Sequence, residues 1–304
     1  MLVTEQVESA SATRCAWCGS ALDERSERLP GRSVCAACGV ATTDPWPSDE
    51  ALERAYGAWY RPAGGRFSGP GDALLRRTRA RLARRLDRCA PAGAVLDVGA
   101  GEGVLLDALR RLGRNALGLE RHSLRPDVRA ADLLELDGEW AAIVFWHSLE
   151  HLRTPGAAVA RAAELLAPNG LLVIATPNAA SLQARLFGDR WFGLDVPRHL
   201  VHLPAPALLA RLRGEGLRIQ RVSHLRGGQI VFGWLHGLTG SLPGHPDLYD
   251  AIRRPDARRG RLSGPRRATV LVAAASMLPL ALVCAAVEVA AHRGGTVYVE
   301  ARNG

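Results

Sequence analysis

The rhythm of apolar and polar positions divides the 304-residue chain into stretches of different period. From Asp72 onward, Leu74, Leu75, Thr78, Leu82 and Leu86 recur at helical spacing with arginines between them, and Pro91-Ala92-Gly93 ends the run. Ala94 to Val98 is a short apolar run closed by Gly99, the signature of a buried strand. Strand-like and helix-like stretches then alternate. Val104 to Arg111 reads as a helix, Ala116 to Leu119 as a strand, and the uncharged Ala142 to Trp146 as another strand. Thr154-Pro155 opens a helix, with the threonine as cap and the proline in the first turn. That helix is expected to run to Leu166 and stop at Pro168-Asn169-Gly170, before a strand from Leu171 to Thr176. Pro206 to Arg213 is helical, Leu217 to Val222 is a strand, and Thr296 to Ala301 alternates as one last strand. This βαβ order predicts an α/β fold, a parallel sheet with helices on both faces.

Two regions break the rhythm. Residues 45 to 60 carry Trp46, Tyr56, Trp59 and Tyr60, with Ser48-Asp49-Glu50 as a helix start, and residues 61 to 71 are rich in glycine and proline. The aromatics either pack the N-terminal part onto the main body or line an entrance. Residues 227 to 294 run from glycine and proline through arginine to an apolar stretch, in which Ala268 to Val287 holds twenty residues without a charge. The expected divisions are 1–45, a linker at 46–71, a main domain at 72–226, a helical insertion at 227–294 and a final strand at 295–304.

Four of the six cysteines form two knuckles, Cys15-x2-Cys18 and Cys35-x2-Cys38, sixteen residues apart. That spacing suits a tetrahedral Zn²⁺ held by four thiolates; two disulfides or a redox pair are the alternatives. The first residues are polar and lack an apolar core, so no export signal is read and a reducing, cytoplasmic compartment is expected, which favours the metal. A closed four-thiolate site leaves no position for catalysis, so this zinc is structural. Cys89 and Cys284 lie in apolar contexts and are expected in the core.

Composition narrows the chemistry. With 47% apolar and 23% charged residues the chain is globular. It contains no lysine, so all 39 basic residues are arginine; this excludes a Schiff-base lysine and a phosphate-loop lysine. The net charge is +9, but it is localised. Residues 61–90 hold nine arginines against two acids and residues 251–267 hold seven against one, so the rest of the chain is mildly acidic. Such basic segments suit an anionic membrane surface or nucleic acid.

The central motif is Asp97-Val98-Gly99-Ala100-Gly101-Glu102-Gly103. A dinucleotide loop, G-x-G-x-x-G, would need glycine where Val104 stands. Glu120 lies seventeen residues after Gly103 at the end of the second strand, where an acid can accept both ribose hydroxyls of a nucleoside. From Asp72 to Val222, and in the last strand, the sequence resembles the class I S-adenosylmethionine (SAM)-dependent methyltransferases, in particular a bacterial subgroup with an N-terminal zinc-ribbon-like module. The resemblance implies a Rossmann-like seven-stranded sheet. It implies that Gly99, Ala100, Gly101 and Gly103 pass beside the methionine part of SAM and that Asp97 bears on its amino group through water. Glu120 would bind the ribose, Asp132 the adenine amino group, and Leu133 and Trp146 would complete the pocket. One departure is Ala141 after Trp140, where many relatives place an aspartate.

After the fourth strand, Trp146-His147-Ser148-Leu149-Glu150-His151 resembles a subset that includes the ubiquinone-biosynthesis O-methyltransferases. His147 is then a candidate general base; alternatively His147, Glu150 and His151 hold a divalent ion, or Glu150 and His151 simply cap the next helix. The H-x-x-E-H spacing also matches a metalloprotease pattern, but a strand ends immediately before it. Downstream, Trp191 to His202 is dense in aromatics and histidines, so His199 or His202 is a second candidate base, or the segment is a packed lid. The expected reaction is O-methylation of a small-molecule or lipid-linked acceptor. The rivals are an RNA methyltransferase and a non-catalytic SAM-binding scaffold. Trp146-His147-Ser148-Leu149 speaks against RNA bases, where Asn/Asp-Pro-Pro-aromatic is used. The apolar segment, with Pro279 inside it and Glu288 beyond it, is read as lying on a membrane surface through 251–291, as a buried or dimer helix, or as a span. No oligomeric state is read.

Overall fold

The computed structural model describes residues 10–57, 71–121, 125–225, 228–254, 258 and 264–303. The expectations for Trp59, Tyr60, the glycine-rich loop through Pro70, Arg259 and Arg261 lie outside the described residues.

Seven strands form the main sheet: β4 (Val95–Val98), β5 (Ala116–Leu119), β6 (Val128–Arg129), β7 (Trp140–Trp146), β8 (Leu166–Pro177), β10 (Arg218–Ser223) and β11 (Thr296–Arg302). Their order is β10-β11-β8-β7-β4-β5-β6. The five strands β4 to β8 run parallel, while β11 is antiparallel to β8 and to β10. β7 is apolar throughout because both its faces are covered. Ala142 and Val144 join one core with Leu82, Leu86, Leu105 and Leu109 of α2 (Gly71–Cys89) and α3 (Val104–Arg110). Ile143 and Phe145 join the opposite core with Val159 of α4 (Pro155–Glu164) and Leu208 and Leu212 of α6 (Ala205–Gly214). The chain reverses its direction of sheet growth between β4 and β7, which opens a crevice at their carboxyl ends.

Several local expectations change. In α2 only the C-terminal half carries the apolar stripe: Leu82, Ala83 and Leu86 are buried, whereas Leu74 and Leu75 are exposed. β7 begins at Trp140, because Trp140 already pairs with Leu166, and α4 accordingly ends at Glu164. Pro168-Asn169-Gly170 therefore sits as an irregularity inside β8. Thr154 precedes Pro155 as expected, but its side chain makes no capping hydrogen bond.

The cysteine-rich part is joined to the main body by backbone pairing. β1 (Glu27–Leu29), β2 (Arg32–Val34) and β3 (Ala41–Thr43) form an antiparallel sheet, and β9 (Val201–His202) adds to its edge through Ala41↔His202 and Thr42↔Val201. Cys15, Trp17, Cys35 and Val40 share one core with Phe145 and Leu208. α1 (Asp49–Ala55) starts at Ser48, whose hydroxyl accepts from Ala51 N, and Trp46 packs on the same core. The 227–294 insertion forms α7 (Gly228–Gly240), α8 (Leu248–Ile252) and α9 (Gly264–Ala290), which pack on one another and on α5 (Leu182–Phe187).

Gly156, in the first turn of α4, marks how close this docking is. A Cβ there would lie 2.0 Å from the Trp17 carbonyl oxygen, a backbone atom that cannot swing aside. Gly156→Ala is expected to lower unfolding stability by about 1–3 kcal/mol despite the better helix propensity of alanine, as read by denaturant titration.

Candidate active site

The β4–α3 turn is glycine-rich for a geometric reason. Gly99, Gly101 and Gly103 have φ of 81°, 56° and 70°, a region that side-chain-bearing residues avoid. At Gly99 a Cβ would also lie 2.4 Å from Ser148 Cβ, so the loop abuts the segment after β7. Glu120, at the end of β5, accepts from Gly101 N at 3.1 Å, which ties the acid to the loop. Asp132 caps a short 3₁₀ turn, Leu133–Glu135, by accepting from Leu134 N at 3.0 Å. Gly99, Gly101, Glu120, Asp132 and Ser148 wall a cavity of about 1840 Å³ that also takes in Trp146, His147, Glu150, His151 and His199. α7 and α8 roof it through Gln229, Gly233, His236 and Tyr249.

Asp97 is 4% exposed at the end of β4. Burial raises its carboxyl to about 7, against the pull of the Arg79 charge and with a further push from Glu120. Arg79 of α2 lines the cavity and stands over the Trp146 ring at 4.5 Å.

A second cluster sits at the end of β7. His147 has φ of 53°, a strained conformation for a residue with a side chain. Glu150 is 1% exposed; burial pushes its carboxyl up, but the His147 hydrogen bond and the neighbouring imidazoles outweigh that and hold it low. An ionised carboxylate only accepts, so His147 Nδ1–H donates to Glu150 Oε1 at 3.3 Å. This leaves Nε2 with the lone pair, facing the Gln229 amide at 3.0 Å. Thr176 Oγ1 donates to the other carboxylate oxygen at 3.0 Å. His151 Nδ1 lies 2.8 Å from the Arg198 carbonyl and 2.9 Å from the Tyr56 hydroxyl. His199 Nδ1 lies 2.8 Å from the Gly193 carbonyl. Both carbonyls place the ring proton on Nδ1, so each Nε2 keeps its lone pair. Burial, reinforced by the like charge of His199, lowers His151 to about 4.

A family model described as a methyltransferase domain matches residues 73–222. A ubiquinone biosynthesis O-methyltransferase of Xanthomonas axonopodis pv. citri is 32% identical over 180 residues, covering 51% of this chain and 75% of that protein. One of the same name from Xanthomonas campestris pv. campestris (strain B100) is 31% identical over 157 residues, or 44% of this chain and 66% of the relative. The chain belongs to the class I SAM-dependent methyltransferases. Among solved structures, the cyclase SpnF superposes with a TM-score of 0.48 at 22% identity, covering 84% of this chain and 96% of its own.

In this methyltransferase most residues picked from sequence converge on one cavity: Gly99, Ala100, Gly101, Glu120, Asp132, Leu133, Trp146, His147, Glu150, His151 and His199. Gly103 instead turns the chain into α3, packed under the Arg125 side chain. His202 is turned into the small sheet, where its Nε2 meets Thr43 Oγ1 at 3.1 Å. The ion-binding set changes too: Glu150, His151 and His199, not His147, bring ligand atoms within 4.8 Å of one another. Glu150 and His151 do not cap α4; their side chains bond inward. Tyr56 both lines the cavity and meets His151. Arg79, Gln229 and Tyr249 were missed. Arg79 is one of many arginines in α2 and nothing in its spacing singles it out, while Gln229 and Tyr249 reach the cavity only because the insertion folds over it.

The four cysteines form a compact group, with Cys15 and Cys38 Sγ 3.7 Å apart and Cys18 and Cys35 Sγ 3.7 Å apart. That is far beyond an S–S bond and matches the edge of a tetrahedron with Zn–S bonds of about 2.3 Å. Gly19 and Gly39, each with positive φ, let the knuckle amides turn back onto Cys15 and Cys35 carbonyls.

Burial lifts the Asp97 carboxyl to about 7. Its ionised form, which attracts an ammonium group, accumulates as pH rises through about 7. SAM affinity measured by calorimetry is therefore expected to rise about tenfold from pH 6 to 8 and then level off. Asp97→Asn should flatten that profile; an unchanged slope in this variant would assign the titration to another group.

Proposed function

We propose that this methyltransferase transfers the methyl group to a hydroxyl oxygen of a small-molecule or lipid-linked acceptor, with His147 as general base. The observation that carries the reading is the contact of His147 Nδ1 with the buried Glu150 carboxylate at 3.3 Å in the cavity wall, which places the ring proton on Nδ1 and the lone pair on Nε2. SAM, when bound, supplies an electrophilic methyl on a sulfonium. The residues that would hold that group are the 99–103 loop, Glu120 for the ribose, Asp132 and Leu133 for the adenine, and Asp97 and Arg79 as opposite charges for the ammonium and carboxylate of the methionine end. Trp146 closes the wall beside them. His147 Nε2 takes the hydroxyl proton as the oxygen becomes nucleophilic, and Glu150 stabilises the imidazolium that results. The Gln229 amide, which faces the same nitrogen from the roof, gives up that lone pair to the acceptor hydroxyl when the acceptor enters. The remaining acceleration comes from alignment and exclusion of water by α7 and α8. The curated relatives named as O-methyltransferases support oxygen as the acceptor atom.

A second reading of the cluster has its own support. Glu150 offers a carboxylate oxygen, and His151 and His199 present the imidazole tautomer that binds a divalent ion, so an ion there would lower the pKa of the acceptor hydroxyl. We also propose a structural Zn²⁺ at Cys15, Cys18, Cys35 and Cys38, whose spacing fits one.

Glu120→Ala is expected to abolish SAM binding in calorimetry. His147→Ala should retain SAM binding and lose about 10²–10⁴ in turnover on phenolic acceptors, read by radiolabelled methyl transfer. Full turnover in that variant refutes the base, and turnover that is lost on chelation and restored by a divalent ion favours the second reading. Metal analysis should return one zinc per chain and none in Cys35→Ser.

A further inference from the structure

Helix α9 is built inside out for a helix facing water. Its buried stripe is Val270, Ala274, Ala281, Ala285 and Glu288, packed on α7 and α8. The one carboxylate of the helix is thus its most enclosed residue, at 0% exposure. Glu288 accepts from Gln183 N at 2.9 Å, Gln183 Nε2 at 2.8 Å and Trp234 Nε1 at 3.0 Å. The opposite arc carries Val272, Pro279, Val283 and Val287, with Leu280 and Leu282 flanking it; its hydroxyls, Thr269 and Ser276, bond back to the Pro265 and Ala273 carbonyls. Val272, Val283 and Val287 are 70%, 61% and 55% exposed, and no charged residue interrupts the arc from Ala268 to Ala290. A shallow apolar groove lined by Leu225, Ile230, Val231, Ala286 and Val289 continues this face.

We propose that this outer face of α9 docks on an anionic lipid surface, lying in the plane of the interface. At 27 residues the helix is about 40 Å long. Spanning is incompatible with its surroundings: one stripe is committed to α7 and α8, and β11 follows at once and pairs with β8 over seven residues. The choice between lipid and a second copy rests on charge. Exposed Arg266 stands at one end of the apolar arc and exposed Arg293 just past the other. Pairing two copies about a two-fold axis, parallel or antiparallel, sets arginine against arginine with no exposed carboxylate on the helix to separate them. Anionic headgroups satisfy both ends at once. The basic run read from sequence contributes less than its count: Arg253 is 1% exposed under Tyr249, and Arg267 Nε donates to the Ala251 carbonyl. Because α7 and α8 lie between α9 and the cavity, docking would bring the cavity roof within about one helix diameter of the lipid.

Flotation of the whole chain with vesicles tests this without any acceptor, so its outcome is independent of the transfer chemistry. The protein should float with phosphatidylcholine–phosphatidylglycerol vesicles and remain behind with phosphatidylcholine alone. Val272→Asp with Val283→Asp should weaken partitioning about tenfold or more, and so should Arg266→Glu with Arg293→Glu, a surface pair that leaves the packing intact. SAM binding checks that each variant is folded. Failure of the unmodified chain to float, or unweakened flotation of the arginine pair, overturns the proposal. So does a dimer in light scattering that the valine pair dissociates.

Discussion

A carboxylate removed from water demands compensation from every side, and Glu150 organises this end of the molecule by that demand. Its side chain takes hydrogen bonds from His147 on one oxygen and Thr176 on the other. Its backbone carbonyl accepts from Leu200 N at 2.7 Å, which draws the 191–203 segment against β7 and β8. That segment carries His199 to the cluster and continues into β9, the strand that completes the cysteine-rich sheet. The buried carboxylate thus fixes the tautomer of the candidate base, while the backbone carbonyl of the same residue holds the segment that carries a second histidine and leads into the N-terminal module's sheet.

The module in turn does more than decorate the N-terminus. Thr43 of β3 donates to the His199 carbonyl at 2.6 Å, and Tyr56, just past α1, meets His151. The knuckles hold the sheet, the sheet holds β9, and β9 follows directly from the histidine-bearing segment. A metal bound far from the cavity would therefore stiffen its wall through backbone pairing, without taking part in the chemistry.

Glu288 repeats the same device on the other side of the cavity. Three donors on α5 and α7 hold it inside, while the outward face of α9 carries no charge between Ala268 and Ala290 and only the hydroxyls of Thr269 and Ser276, each bonded back to a backbone carbonyl. The two buried acids together anchor the floor and the roof between which the acceptor must enter.

Much of this was legible in the chain. Local rules settle strands, helices and the turn at Gly99 to Gly103, because periodicity, propensity and φ are properties of neighbouring residues. Knuckle spacing likewise marks the four cysteines; of the acids, Asp97 stands near the end of β4, Glu120 directly after β5 and Asp132 shortly after β6. What sequence left open depends on partners far apart. The hydrogen bond between His147 and Gln229 spans 82 positions, that between Thr43 and His199 spans 156, and that between Gln183 and Glu288 spans 105. No local pattern distinguishes Arg79 from its neighbours, His199 from His202, or the inward face of α9 from the outward one. Those choices were made by the tertiary structure, because burial and its hydrogen-bond demands exist only once the distant segments have met.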